Sequence, residues 1–226
     1  MTGSGRATAL IAAAGSGQRL GAGAPKALVP LAGRPMVEWS LRALAAAEQV
    51  DSIVVGAPPE AVVELERLCG PGVRVVEGGA GRSETVAAML EHTAADLVLV
   101  HDAARPLVTP GLVDAMVSEL ARRRELAGLV AAAPLTDTIK LARRDGIVER
   151  TLDRSTLWAA QTPQAFRALL LREALKYGNL AAATDDAMLV EQRGGKVALH
   201  EAPPENLKVT TPLDLRVAEL LLAERE

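Results

Sequence analysis

The sequence predicts an α/β protein: a Rossmann-like, mostly parallel twisted sheet with helices on both faces, plus a β-arm inserted late in the chain. Three observations lead there. Apolar runs recur along the chain with helix-like segments between them, the order expected of a sheet covered on both sides. Apolar residues make up 49% of the chain, yet the aromatics are only Trp39, Trp158, Phe166 and Tyr177. The core is therefore aliphatic, which suits parallel strands buried on both faces. Between Thr136 and Phe166 the alternation breaks down, and short β-branched runs flank the hairpin signal Asp145-Gly146. With 226 residues and no low-complexity linker, one domain over 1–226 is expected, with the arm at about 136–163.

Taken in order, strands are expected in "ATALIAAAG" (7–15), "SIVVGAP" (52–58), "VRVVEGG" (73–79), "LVLVHDAAR" (97–105) and "AGLVAAAPL" (127–135). Thr109-Pro110 and Thr211-Pro212 each place a capping hydroxyl before a proline suited to the first helical position, and Asp214 falls where a capping acid belongs. Ile139, Leu141, Ile147, Val148 and Trp158 make the arm too apolar for an ordinary solvated loop. A partner subunit would cover them, so a homodimer through the arm is expected. Helices near 168–177 and 184–193, a strand in "VALHEA" and a helix to about Ala223 follow the arm.

The net charge of -3, from 25 basic and 28 acidic residues, lacks the excess of cations that a nucleic-acid footprint requires, so nucleic acid is not an expected partner. Cys69 stands alone, which rules out an internal disulfide and a four-cysteine zinc site and fits a reducing compartment. No apolar run approaches the roughly 18 to 20 residues of a membrane span, and the start "MTGSGRATA" has no long apolar stretch. No membrane partner and a cytoplasmic location are the expectations.

The first strand runs into "GSGQRLGAGAPK", and spacing separates the possible glycine-loop readings. A dinucleotide fingerprint needs G-x-G-x-x-G, but here Gly15, Gly17 and Gly21 are one residue too widely spaced, and no acid closes the second strand. This spacing is the main argument against a dehydrogenase. A P-loop needs Gly-Lys-Ser/Thr, whereas Lys26 follows a proline. What remains is a loop whose backbone can approach a phosphate chain, with Arg19 and Lys26 as cations; a turn built only for tight packing is the competing reading.

"LVLVHDAARP" ends an apolar strand in His101-Asp102, followed by Arg105. An acid outside the carboxyl end of a parallel strand lies where open α/β sheets bind ligands, so Asp102 is a candidate metal ligand, or else the cap of a turn. His101 reads as a hydrogen-bonded packing residue. "EGGAGRSETV" sets Arg82, Ser83 and Thr85 at a helix start, where amides and hydroxyls can meet a base or ribose or simply cap the helix. Lys208, Arg154 and Arg105 would together make a second anion site, and each is equally well a solvated charge.

Seven stretches in order, "AAAGSGQRLGAGAPKAL", "VEGGAGRSETV", "LVLVHDAARP", "APLTDTIK", "LDRSTLWAAQTPQAF", "ATDDAMLVE" and "ENLKVTTPLDL", together resemble the 2-C-methyl-D-erythritol 4-phosphate cytidylyltransferase family over nearly the whole chain. The resemblance implies a nucleotidyltransferase that joins CTP to a sugar-alcohol phosphate with Mg²⁺ as the divalent cofactor. It implies Arg19, Lys26 and Lys208 as catalytic cations. It places Ala13, Ala14, Gly15, Gly17, Gly79, Ala80, Thr85, Asp102 and Ala103 on the nucleotide, with Asp102 also on the metal. Arg105, Thr136, Arg154, Thr162 and Lys208 would surround the acceptor, with Arg154 and Thr162 reaching in from a neighbouring subunit. The nucleophile is an anionic phosphate oxygen, so no general base is required. Glu84-Thr85 stands where the family usually shows Asp-Ser, and the added methyl puts the exact base contact in question; Ala80-Gly81 stands where an acid is common, a change that a backbone contact survives. Two alternatives share the fold: a ribitol 5-phosphate cytidylyltransferase and a non-catalytic nucleotide-sensing protein.

Overall fold

The computed structural model describes residues 6–15 and 25–225. The first half comprises β1 (Ala7–Ala12), a two-stranded ribbon of β2 (Pro30–Leu31) and β3 (Arg34–Pro35), α1 (Met36–Ala45), β4 (Val50–Ala57), α2 (Val62–Cys69) and β5 (Val73–Glu77). Then come α3 (Arg82–Leu90), β6 (Leu97–Asp102), α4 (Pro110–Arg122) and β7 (Gly128–Pro134). A second ribbon of β8 (Lys140–Ala142) and β9 (Val148–Thr151) is followed by β10 (Trp158–Arg167), α5 (Ala168–Tyr177), α6 (Asp186–Gln192), β11 (Val197–Glu201) and α7 (Pro212–Ala223).

Seven strands form the central sheet in the order β11-β7-β10-β6-β1-β4-β5. β1 pairs in parallel with β4 and β6, β4 with β5, and β7 with β11, which is the mostly parallel sheet expected. β10 runs antiparallel between β6 and β7. Its first residues correct the expected arm boundary. The expected arm runs to about residue 163, whereas Trp158 pairs with Pro134 and Ala160 with Ala132 in the central sheet. "WAAQTPQAF" lacks the continuous apolar run of a buried strand, and long-range pairing rather than local pattern makes it one.

The projecting hairpin is β8 with β9. Its turn uses Gly146 at φ +84°, a backbone region that glycine enters without steric cost. Asp145 Oδ1 accepts the Ile147 N–H at 3.1 Å and stiffens the turn.

Alternate residues of the inner strands face opposite layers, as the period of two requires. Ala9, Ile11, Ile53, Val55 and Leu99 pack with α1, α2 and α4, whereas Leu10, Val54, Val98 and Val100 pack with α3, α5 and α6. Each fully buried Val, Leu or Ile side chain contributes about 1.5–3 kcal/mol. A third cluster sets Ala218 and Leu222 of α7 against Leu31, Met36 and Leu107. It brings the segment before α7 to the carboxyl end of β6. Thr211 Oγ1 accepts the Asp214 N–H at 3.2 Å while Asp214 Oδ2 accepts the Thr211 N–H at 2.7 Å, a reciprocal cap that fixes where α7 begins. Among the described residues no helix is long and apolar enough to cross a membrane.

Candidate active site

The carboxyl ends of β1, β5 and β6 open onto a cleft of about 640 Å³. Three backbone turns and one crossing segment build it. After β1, the Ala13 N–H donates to Gly56 O at 2.8 Å, and the Lys26 N–H returns to Gly15 O at 3.0 Å. The second hydrogen bond brings Lys26 back to the start of the glycine loop, and Ala13, Ala14, Gly15 and Lys26 all line the cleft. Gly79, Ala80 and Gly81 form the next wall. A Cβ on Gly79 would lie 2.4 Å from Glu84 Cβ, so only glycine lets this turn close on the start of α3. Glu84 Oε2 accepts the Gly81 N–H at 2.5 Å and pins the turn from the helix side. At the centre Asp102 ends β6 and Ala103 follows it, with the Ala103 N–H donating to Ala12 O at 3.1 Å. Lys208 and Thr210 enter from the segment before α7.

Charge converges on Asp102. Arg82 Nε donates to its Oδ1 at 2.9 Å and Lys208 Nζ to its Oδ2 at 2.6 Å. Burial alone would raise the Asp102 pKa, but the Arg82 and Lys208 charges outweigh it and hold the carboxyl well below the usual range. Arg82 also donates through Nη1 to Asp186 Oδ2 at 2.6 Å. Burial opposes the Arg82 charge, but Asp186 and Asp102 more than offset it, so the guanidinium is held firmly charged. Asp186 is itself fully buried.

Beneath Asp102 runs an uncharged relay. The Asp102 N–H donates to Thr162 Oγ1 at 3.0 Å, and Thr162 Oγ1 lies 3.2 Å from His101 Nδ1. His101 Nε2 lies 3.1 Å from Arg105 O. A carbonyl can only accept, so the ring carries its proton on Nε2 and accepts the threonine proton on Nδ1. Burial lowers the His101 pKa to about 4, in keeping with a neutral ring. Asn206, also fully buried, donates through Nδ2 to Thr162 O at 2.9 Å and accepts Arg105 Nη1 on its own carbonyl at 2.7 Å.

A glycine-walled cleft with cations around one carboxylate is a site for a polyanion, and known proteins show which one. The profile of the IspD family, 2-C-methyl-D-erythritol 4-phosphate cytidylyltransferase, matches residues 7–224. The chain belongs to this cytidylyltransferase family. The protein of that name from Parasynechococcus marenigrum (strain WH8102) is 46% identical over 96% of this chain and 98% of its own. The one from Nocardia farcinica (strain IFM 10152) is 47% identical over 98% of this chain and 96% of its own. The crystal structure of 2-C-methyl-D-erythritol 4-phosphate cytidylyltransferase from Thermus thermophilus superposes with a TM-score of 0.81 at 37% identity, covering 96% of this chain and 99% of that one.

For a cytidylyltransferase of this family, the structure groups the sequence-derived candidates unevenly. Ala13, Ala14, Gly15, Lys26, Gly79, Ala80, Thr85, Asp102, Ala103 and Lys208 share the cleft. Gly17 and Arg19 lie outside the described residues. Thr136 and Arg154 meet each other at the root of the hairpin, where Arg154 Nη1 donates to Thr136 O, and both are exposed rather than part of the cleft wall. Arg105 is buried beside Asn206. Thr162 corrects the expectation that it arrives from a neighbouring subunit: β10 carries it into its own chain's sheet, where its hydroxyl holds the Asp102 N–H.

Sequence reasoning missed Asp186 and Asn206. Two successive acids, Asp185 and Asp186, precede an apolar helix, and one cap needs only one of them. Asp185 is that cap, accepting the Met188 N–H at 2.9 Å. The second acid could have been flagged as a buried partner for an arginine. Nothing local marked Asn206.

Proposed function

We propose that this chain transfers the cytidylyl group of CTP to 2-C-methyl-D-erythritol 4-phosphate, releasing pyrophosphate and forming 4-diphosphocytidyl-2-C-methyl-D-erythritol. The whole chain is read as one nucleotidyltransferase domain. The observation that carries the reading is the Asp102 cluster, with Arg82 and Lys208 on its two oxygens and Lys26 in the same cleft, in a chain matched over residues 7–224 by the family profile.

The chemistry follows from charge. A phosphate oxygen of the acceptor attacks the α-phosphorus of CTP in line, and the bond to the β-phosphate oxygen breaks as pyrophosphate leaves. The attacking oxygen is already an anion, so the site needs no general base, and the neutral His101 in its relay is not asked to act as one. The barrier lies in bringing two anions together and in charge building on the leaving group, which preorganised cations and positioning relieve. Lys26 with Arg19 serves the triphosphate, along the backbone of Ala13, Ala14, Gly15 and Gly17. Gly79, Ala80 and Thr85 form the side for the base. Lys208 and Arg105, with Arg154 and Thr136 brought by the arm of a second subunit, serve the acceptor phosphate. Thr162 holds Asp102 from within the same chain.

Among the described residues there is no group of three or more His, Cys, Asp and Glu that could hold a metal by itself. Each Asp102 oxygen keeps a lone pair beyond the bond it accepts from Arg82 or Lys208, and one such carboxylate suits Mg²⁺, a hard cation that keeps water and shares phosphate oxygens. Asp102 would hold it together with the nucleotide, and when bound it supplies neutralisation of the phosphates. The homodimer rests on Leu141, Ile147, Val148 and Trp158, which are exposed on and beside the hairpin. A cytoplasmic location is part of the same reading.

Pyrophosphate release with CTP and Mg²⁺ tests it, with methylerythritol phosphate and ribitol 5-phosphate as parallel acceptors. Release with methylerythritol phosphate is expected. Release with ribitol 5-phosphate alone would reassign the acceptor, and release with neither would return the chain to a nucleotide-sensing role.

A further inference from the structure

Asn206 stands two residues before Lys208 and is fully buried. Its segment lies across the turn that carries Asp102, held there by three ties. The Asn206 carbonyl accepts Arg105 Nη1 at 2.7 Å, the Val209 N–H donates to Ala104 O at 2.8 Å, and Lys208 Nζ donates to Asp102 Oδ2 at 2.6 Å. The Asn206 side chain fastens the same segment to β10, where Nδ2 donates to Gln161 Oε1 at 2.8 Å and to Thr162 O at 2.9 Å. The Thr162 carbonyl can only accept, so the nitrogen of the amide and not its oxygen must face β10. The amide oxygen is buried and has no protein partner among the described residues. The side chain therefore serves through its two N–H groups, and among neutral side chains only Asn and Gln carry two donors on one nitrogen.

Thr162 thereby becomes the reference point for both members of an ion pair. Its hydroxyl holds the Asp102 N–H at 3.0 Å, and its carbonyl holds the amide of the segment that brings Lys208. We propose that, with Lys208 and Arg105 read as the cations for the acceptor phosphate, Asn206 is a positioning residue for the acceptor. Through Gln161 and Thr162 it fixes Arg105 and Lys208 beside Asp102 before the substrate arrives, so that little ordering is left to be done when the phosphate binds. Asp102 keeps its own bonds to Thr162 and Arg82, so the nucleotide side of the cleft stands independently of Asn206.

The test measures pyrophosphate release by the intact chain as a function of acceptor concentration, and CTP affinity by calorimetry with Mg²⁺. Asn206→Leu keeps the bulk of the side chain and removes both donors. It is expected to raise the acceptor KM about tenfold or more, while the Kd for CTP stays within about twofold of the wild type. A side chain that only supports the fold would lower the amount of active protein, and with it the apparent kcat, and leave both constants unmoved. Gln161→Leu takes away one of the two acceptors of the amide and is expected to raise the acceptor KM about threefold with CTP unmoved; it carries the test should Asn206→Leu not fold. Equal weakening of CTP and acceptor, or an unchanged acceptor KM in whichever of the two variants folds, would overturn the positioning role. A wild type that releases no pyrophosphate with either methylerythritol phosphate or ribitol 5-phosphate would instead sink the transferase reading.

Discussion

Lys208 Nζ lies 2.6 Å from Asp102 Oδ2, although 106 residues of chain separate them. Arg82 takes the other oxygen of the same carboxylate at 2.9 Å. One acid therefore holds two cations from distant segments at the mouth of β6. Asp102→Asn keeps the shape of the side chain but removes the carboxylate charge from Lys208 and leaves Arg82 only Asp186 as its counter-charge. Turnover is expected to fall on the order of a hundredfold or more, the scale of losing one preorganised stabilising group. Pyrophosphate release measures it, and near-normal turnover would remove Asp102 from the mechanism.

Lys26 reaches the cleft through the Lys26 N–H bond to Gly15 O and lines it. Lys26→Ala is expected to cost on the order of a hundredfold in kcat. An unchanged kcat in a folded variant would contradict the assignment.

Asp186 is the buried anchor of Arg82. Breaking a buried ion pair from one side costs about 3–5 kcal/mol. The lower end applies, because Arg82 is 27% exposed and keeps Asp102 as a partner. Burial outweighs the pull of Arg82 and raises the Asp186 pKa, which cuts the pair's net worth, so Asp186→Asn is expected to lower unfolding stability by about 1–3 kcal/mol in urea titrations. A loss below about 1 kcal/mol would mean that the pair adds little to the fold.

His101 makes stability depend on pH. Burial lowers its pKa from 6.5 to about 4 in the folded chain, so between those values the unfolded chain binds the extra proton. Stability from this group is full above about pH 6.5 and is lost as pH falls toward 4. Between pH 7 and pH 5 the loss is about 2 kcal/mol, from roughly 1.4 kcal/mol per pH unit over the titrating range. Comparing urea unfolding of the wild type and His101→Gln at both pH values isolates it. Equal pH slopes in the two proteins would show that the ring is not held neutral.

Ile147 and Val148 are 56% and 53% exposed at the turn and start of β9. If a second copy covers them, Ile147→Asp together with Val148→Asp is expected to halve a wild-type mass of twice 23.6 kDa in light scattering. Turnover should fall with it, because Arg154 sits on the same arm. A wild type that is already monomeric at assay concentration would remove the shared site.

Much of the fold was legible because its signals are local. The strands β1, β4, β5, β6 and β7 each carry a short aliphatic run, and Thr109, Thr211 and Asp214 mark helix starts through bonds that span a few residues. The mostly parallel sheet follows from such short-range chemistry read in order. β10 escaped because "WAAQTPQAF" carries no periodic pattern, and only its partners β6 and β7 make it a strand.

By itself the sequence determined the class of the fold, the residue types available to a polyphosphate, and the carboxylate at the end of β6. The tertiary structure alone decided which side chains meet. It assigned Thr162 to its own chain, set Asp186 behind Arg82, and tied Asn206 to the same threonine. Hydrogen bonds and ion pairs act over about 3 Å in space, and no local pattern in the chain encodes which segments, 60 or 104 residues apart, the packed sheet brings within that reach.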